Sequence, residues 1–186
     1  MKSSVQSVGV FLSSSDRVSA HFLEEAERLG ARLAKEGFSV VYGGASCGCM
    51  GALAKGVKAE KGPLIGVVPE IDILTEVVEE DLTEKILVPT MSARKEHMME
   101  RSDAFVIFPG GVGTLDEVTD VLCLKALNSP LTKDKPVAFY NYMGFWDPFI
   151  ESLEIMNQQR MVSSSLDRMY QVFSELEEVI GFICDS

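Results

Sequence analysis

The sequence predicts an α/β fold with a mainly parallel sheet covered on both faces by helices. Three observations predict it. Short β-rich apolar runs alternate with helical stretches along the chain. The strand candidates are apolar on both faces, as strands buried under helices are. Three strand candidates end in runs of small residues, at 11–16, 42–51 and 108–117, where a backbone can approach a ligand closely.

The elements follow in order. "SVGVFL" (7–12) reads as a buried strand. Residues 18–37 form a helix with Phe22, Ala26, Leu29 and Leu33 on one face and Gly37 as the stop. "FSVVYGG" (38–44) is the second strand, ending in Gly43 and Gly44. Residues 49–62 are helical and "PLIGVVP" (63–69) is the third strand. The acidic segment 70–82 fits neither period. "EKILVP" (84–89) is a fourth strand, 92–103 a helix, and "AFVIFPGG" (104–111) a fifth strand. A helix over 114–128, a strand over 136–141 and a helix over 145–159 come next. A short strand over 169–173 and a helix over 175–183 close the chain. No repeat or linker interrupts this order, so residues 1–186 are expected to form one domain.

Composition narrows the function. The 186 residues are 46% hydrophobic and carry a net charge of −11, which argues against disorder and against a nucleic-acid or anionic-membrane partner. No apolar run reaches membrane-spanning length, and the N-terminal apolar run is shorter than a secretory one, so a cytoplasmic protein is expected. Cys47, Cys49, Cys123 and Cys184 form no C-x-x-C pair, and His21 and His97 are the only histidines. Reduced thiols and no metal are therefore expected.

The stretch "PGGVGTLDE", Pro109 to Glu117, bears the chemistry. It is neither a P-loop nor a dinucleotide fingerprint. Gly110, Gly111 and Gly113 permit a tight turn, and a helix starting near Thr114 offers free amides and a positive dipole end to a phosphate. The same residues also suit a turn that binds nothing. Asp116 and Glu117 are favoured at such a helix end. Thr114-x-x-Glu117 also spells a capping box, in which Glu117 folds back onto its own backbone. If a phosphate takes the amides, Glu117 must face elsewhere. The carbon of an N-glycosidic bond gains positive charge as that bond breaks, and a carboxylate beside it stabilises the charge. A nucleoside 5′-monophosphate brings both groups to one loop. Arg94 and Lys95, just upstream, are candidates to pair with the phosphate or act on the leaving base. A solvated pair balanced by Glu96 and Glu100 is the alternative.

The segment "MSARKEHMMERSDAFVIFPGGVGTLDE" resembles the signature of the LOG family, the cytokinin riboside 5′-monophosphate phosphoribohydrolases, often labelled "possible lysine decarboxylase". "VVYGGASCGCMGALA" is similar to its glycine-rich second loop. The resemblance implies a Rossmann-like three-layer sandwich, a homodimer, an AMP-type substrate and no cofactor. It implies Arg94 and Glu117 as the catalytic pair. Gly110, Gly111, Val112, Gly113 and Thr114 would hold the phosphate, with Gly43, Gly44 and Ser14. Glu76, Lys95 and Asp116 fall among its substrate-contact positions. The chain departs from the pattern at Ser13, Ala45, Cys49, Ser92, Cys123, Leu124 and the segment 160–162. Those positions lie more on the base and interface side than on the phosphate side. The resemblance therefore carries a nucleoside 5′-monophosphate further than it carries a cytokinin. A nucleotide- or phosphate-binding carrier without turnover is the competing reading. Lysine decarboxylation normally needs a lysine Schiff base with pyridoxal phosphate, and no lysine here is marked for it.

Overall fold

Strand β1 (Ser7–Phe11) lies at the centre of a sheet of order β4-β3-β2-β1-β5-β6-β7. The computed structural model describes residues 5–70, 78–162 and 165–186. The other strands are β2 (Ser39–Tyr42), β3 (Leu64–Pro69), β4 (Glu84–Val88), β5 (Ala104–Ile107), β6 (Val137–Tyr140) and β7 (Gln171–Phe173). All neighbours pair in parallel, with Val8 opposite both Val40 and Ala104. The ambiguous acidic segment, with Glu76, lies largely outside the described residues. Its end joins the second loop through an antiparallel bridge between Ala45 and Val78.

Among the described residues, six helices cover the sheet. On one face lie α1 (Ala20–Lys35), α2 (Gly48–Ala59) and α6 (Leu176–Cys184). On the other lie α3 (Met91–Glu100), α4 (Val112–Ala126) and α5 (Asp147–Gln158). The strands supply both cores by alternation. Val8 and Val10 join the first core, while Phe11, Val41, Phe105 and Ile107 join the second. Each core is therefore written into the same strands at every other residue.

Helices α1 and α2 cross closely because glycine stands at the contact. A Cβ on Gly56 would lie 2.0 Å from the Glu27 carbonyl, and one on Gly30 would lie 2.3 Å from the Leu53 carbonyl. Backbone cannot yield as a flexible side chain does. Gly56→Ala is expected to destabilise the protein by about 1–3 kcal/mol, as overpacking does, measured by denaturant unfolding.

The topology decides where a ligand can sit. From β1 the chain steps outward to β4, then returns to place β5 on the other side of β1. The connection after β1 runs to α1 on one face, and the one after β5 runs to α4 on the other. The two loops part at the carboxyl ends of these strands and leave a crevice.

Candidate active site

Two loops and two helices build the walls of this crevice. The loop after β1 is tied to α2. Met50 N donates to Ser13 O at 3.1 Å, the Cys47 thiol to Ser14 O at 3.1 Å, and Gly48 N to the Asp16 carboxylate at 2.9 Å. Helix α3 is fixed at its start by Thr90, whose hydroxyl accepts from Ala93 N at 3.1 Å. That cap sets the first turn, from which Arg94 projects.

Helix α4 begins at Val112, two residues before the start expected from the sequence. Gly111 is the N-cap and no side chain caps it. Its carbonyl accepts from Leu115 N at 3.0 Å. The amides of Val112, Gly113 and Thr114 precede the first intrahelical donor, as at every helix start, and are left for a bound anion. Thr114 is buried in the first turn. A Cβ on Gly110 would lie 2.1 Å from its hydroxyl oxygen, so that glycine makes room for the threonine.

The capping box does not form. With the helix starting at Val112, Glu117 sits in the second turn and points at α3. Arg94 Nη2 donates to Glu117 Oε1 at 2.9 Å. Both side chains are almost fully enclosed, at 7% and 4% exposure. Gly43 makes this possible: a Cβ there would lie 2.1 Å from Arg94 Nη2. Arg94 Nη1 also approaches the Met91 sulfur at 3.8 Å. Arg94 Nε is buried with no partner among the described residues.

Burial pushes the Glu117 carboxyl up to about 7, against the opposing pull of Arg94. This acid therefore changes charge near neutral pH. The sign for stability follows by linkage. Unfolded glutamate titrates near 4.5, so between about 4.5 and 7 the folded protein holds the proton more tightly. Stability should fall as pH rises through that window. The fall should be smaller in Glu117→Gln, and melting temperature against pH for both proteins reads it.

The cleft above the pair measures about 330 Å³ and is lined by Ser13, Ser14, Met50, Met91, Gly111 and Gly113 besides Arg94, Thr114 and Glu117. A smaller hollow shares Ser14, Met50 and Arg94 and continues past Gly43, Gly44 and Ala45 to Val68, Pro69 and Val78. Its walls are mostly apolar. The sequence did not point to Met50 or Met91. Met91 stands one turn before Arg94 on the same helix face, which is the only local signal for it.

Other expected residues fall differently. Lys95 does not enter the cleft lining. Its ammonium joins Asp116 at 2.9 Å and Asp120 at 3.2 Å, which clamps α3 to α4. Partial burial works against its charge, yet the two carboxylates carry it above the ordinary lysine value. Asp116 is thereby engaged with Lys95. Val112 is exposed, so its contribution to a ligand is the amide. Glu76 lies outside the described residues. The four cysteines are free thiols.

Comparison with known proteins shows the family of the chain. A family model described as "Possible lysine decarboxylase" matches residues 50–183. A cytokinin riboside 5′-monophosphate phosphoribohydrolase of Mycobacterium tuberculosis is 40% identical over 128 residues, covering 69% of this chain and 67% of that protein. The protein belongs to the LOG family. Two further LOG proteins bearing the same enzyme name are 32% identical in Oryza sativa and 31% identical in Arabidopsis thaliana. Each match covers 90% of this chain, with 68% and 78% of the relative. The chain thus spans about two thirds of the length of several LOG relatives, 65% for another from rice. Among solved structures, a molybdenum cofactor binding protein of Rippkaea orientalis superposes with TM-score 0.71 at 24% identity, over 95% of this chain and 94% of that one. A molybdenum cofactor carrier protein of Chlamydomonas reinhardtii gives 0.68 at 26% identity over the same shares. The fold is the Rossmann-like α/β sandwich of these proteins. No helix of the described residues is long and apolar enough to cross a membrane.

Proposed function

We propose that this LOG protein hydrolyses the N-glycosidic bond of AMP or an N6-substituted AMP, releasing the free base and ribose 5-phosphate. The buried Arg94–Glu117 pair beside an uncapped helix start carries the reading. The amides of Val112, Gly113 and Thr114 take the phosphate, with Ser14 on the opposite wall. The ribose then lies over Glu117 and the base over Gly43, Gly44 and Met50. As the bond to C1′ stretches, positive charge grows on the sugar and the Glu117 carboxylate stabilises it. Water adds across the bond, its oxygen to C1′ and a proton to the base nitrogen. A carboxyl that titrates near 7 is suited to accept and return that proton. Arg94 holds the carboxylate in place. The relatives' enzyme name supports the assignment.

The decarboxylase label in the family description finds no support in the cleft: no lysine is among its described lining residues. We also read the protein as a homodimer, heavier in sedimentation than one 20.4 kDa chain. Incubation with AMP and with isopentenyl-AMP, followed by measurement of released base, tests the activity. Tight binding of AMP with no release of base would replace the enzyme with a carrier.

A further inference from the structure

A second cavity of about 340 Å³ lies on the α1 side of the Gly110–Gly111 turn. Arg17, Val18, Phe22, Cys49 and Phe145 line it, and it meets the first cleft at Ser13 and Gly111. Nothing in the activity above uses it. Its walls are apolar and aromatic. Phe22 and Phe145 stand edge to face at 5.9 Å, and Phe145 is 40% exposed, unusual for a phenylalanine with a neighbouring core. Arg17 is exposed at the same cavity, and among the described residues no acid pairs with its guanidinium. A cation beside an aromatic wall suits a flat ring, held by edge contacts and by the cation over its face. The turn between the two cavities is the proposed phosphate seat. A Cβ on Gly111 would meet nothing within 4 Å, so the backbone there leaves space for a group passing over it.

We propose that the two cavities form one trough for a nucleoside 5′-phosphodiester, whose phosphate sits on the Gly111 turn and whose second half carries a ring into the cavity at Phe145. This rests on the nucleotide reading of the first cleft. The phosphate would then be a joint between two ring subsites rather than the end of the ligand.

The test compares AMP with its phenyl phosphodiester by calorimetry on the full chain. The ester should bind at least as tightly as AMP. Phe145→Ala should weaken the ester by about tenfold while changing AMP by less than about twofold. Arg17→Ala, at an exposed position that spares the core, should weaken the ester by about threefold or more through loss of the cation–ring contact. Exclusion of the ester where AMP binds would overturn the proposal, as would ester affinity indifferent to both substitutions. If neither compound binds, the nucleotide reading itself fails and takes this one with it.

Discussion

Glu117→Gln should lower the rate constant for base release from AMP by about 10²- to 10⁴-fold while leaving AMP affinity within about threefold. The split is the informative part. In the proposed mode phosphate binding rests on backbone amides of α4, which the substitution does not touch. Glutamine keeps an acceptor for Arg94 Nη2, so the local geometry has a reason to persist. What it loses is the negative charge that only the transition state uses, and interactions of that kind appear in kcat rather than in binding. The pH profile adds a second reading. In the proposed mechanism ionised Glu117 is the working form, so wild-type activity should fall as pH drops through about 7. The residual activity of the variant should not follow that step. Equal losses in kcat and affinity would instead mean that Glu117 serves to hold the nucleotide.

Gly43→Ala should abolish most of the activity through Arg94 without removing any side chain that touches substrate. An added Cβ would meet Arg94 Nη2 at 2.1 Å and its Cζ at 2.9 Å, so the guanidinium must move. Its escape is limited because α3 is fixed by the Thr90 cap and Arg94 is enclosed. Displacing it breaks the 2.9 Å bond to Glu117 and leaves a buried carboxylate without its cation. Removing one partner of such a pair costs about 3–5 kcal/mol unless the acid takes up a proton. The Glu117 carboxyl should therefore titrate still higher, and the acid limb of the activity profile should move to higher pH. Activity at neutral pH is expected to fall by about 100-fold, a loss typical of misplaced catalytic groups. A profile that keeps its midpoint would show that Gly43 contacts the ligand and does not seat Arg94.

The sequence located the cleft without assembling it. Alternating strands and helices announced a parallel sheet, and small residues after Phe11, Tyr42 and Phe108 marked the strand ends that line the cleft. It also offered two partners for Glu117, its own backbone or something across the site, and could not choose between them. The choice turned on where α4 begins. Gly111 takes the N-cap and Val112 the first turn, which moves Glu117 beyond reach of the amides that a capping box needs. Lys95 shows the same limit: its position beside Arg94 suggests a shared role, yet one residue along a helix turns the side chain by about 100°. Arg94 consequently enters the cleft and Lys95 clamps Asp116 and Asp120 outside it.

By itself the sequence determined the order of elements, the two cores carried by alternate strand residues, and the glycine turn that opens α4. Those follow from periodicity and backbone freedom, which act over a few residues. Only the tertiary structure decided that Arg94 and Glu117, 23 positions apart, share a hydrogen bond, and that Gly43 on another strand end gives the guanidinium its space. Such pairings depend on how two helices cross the end of a sheet at ångström distances, and no local pattern in the chain encodes that separation.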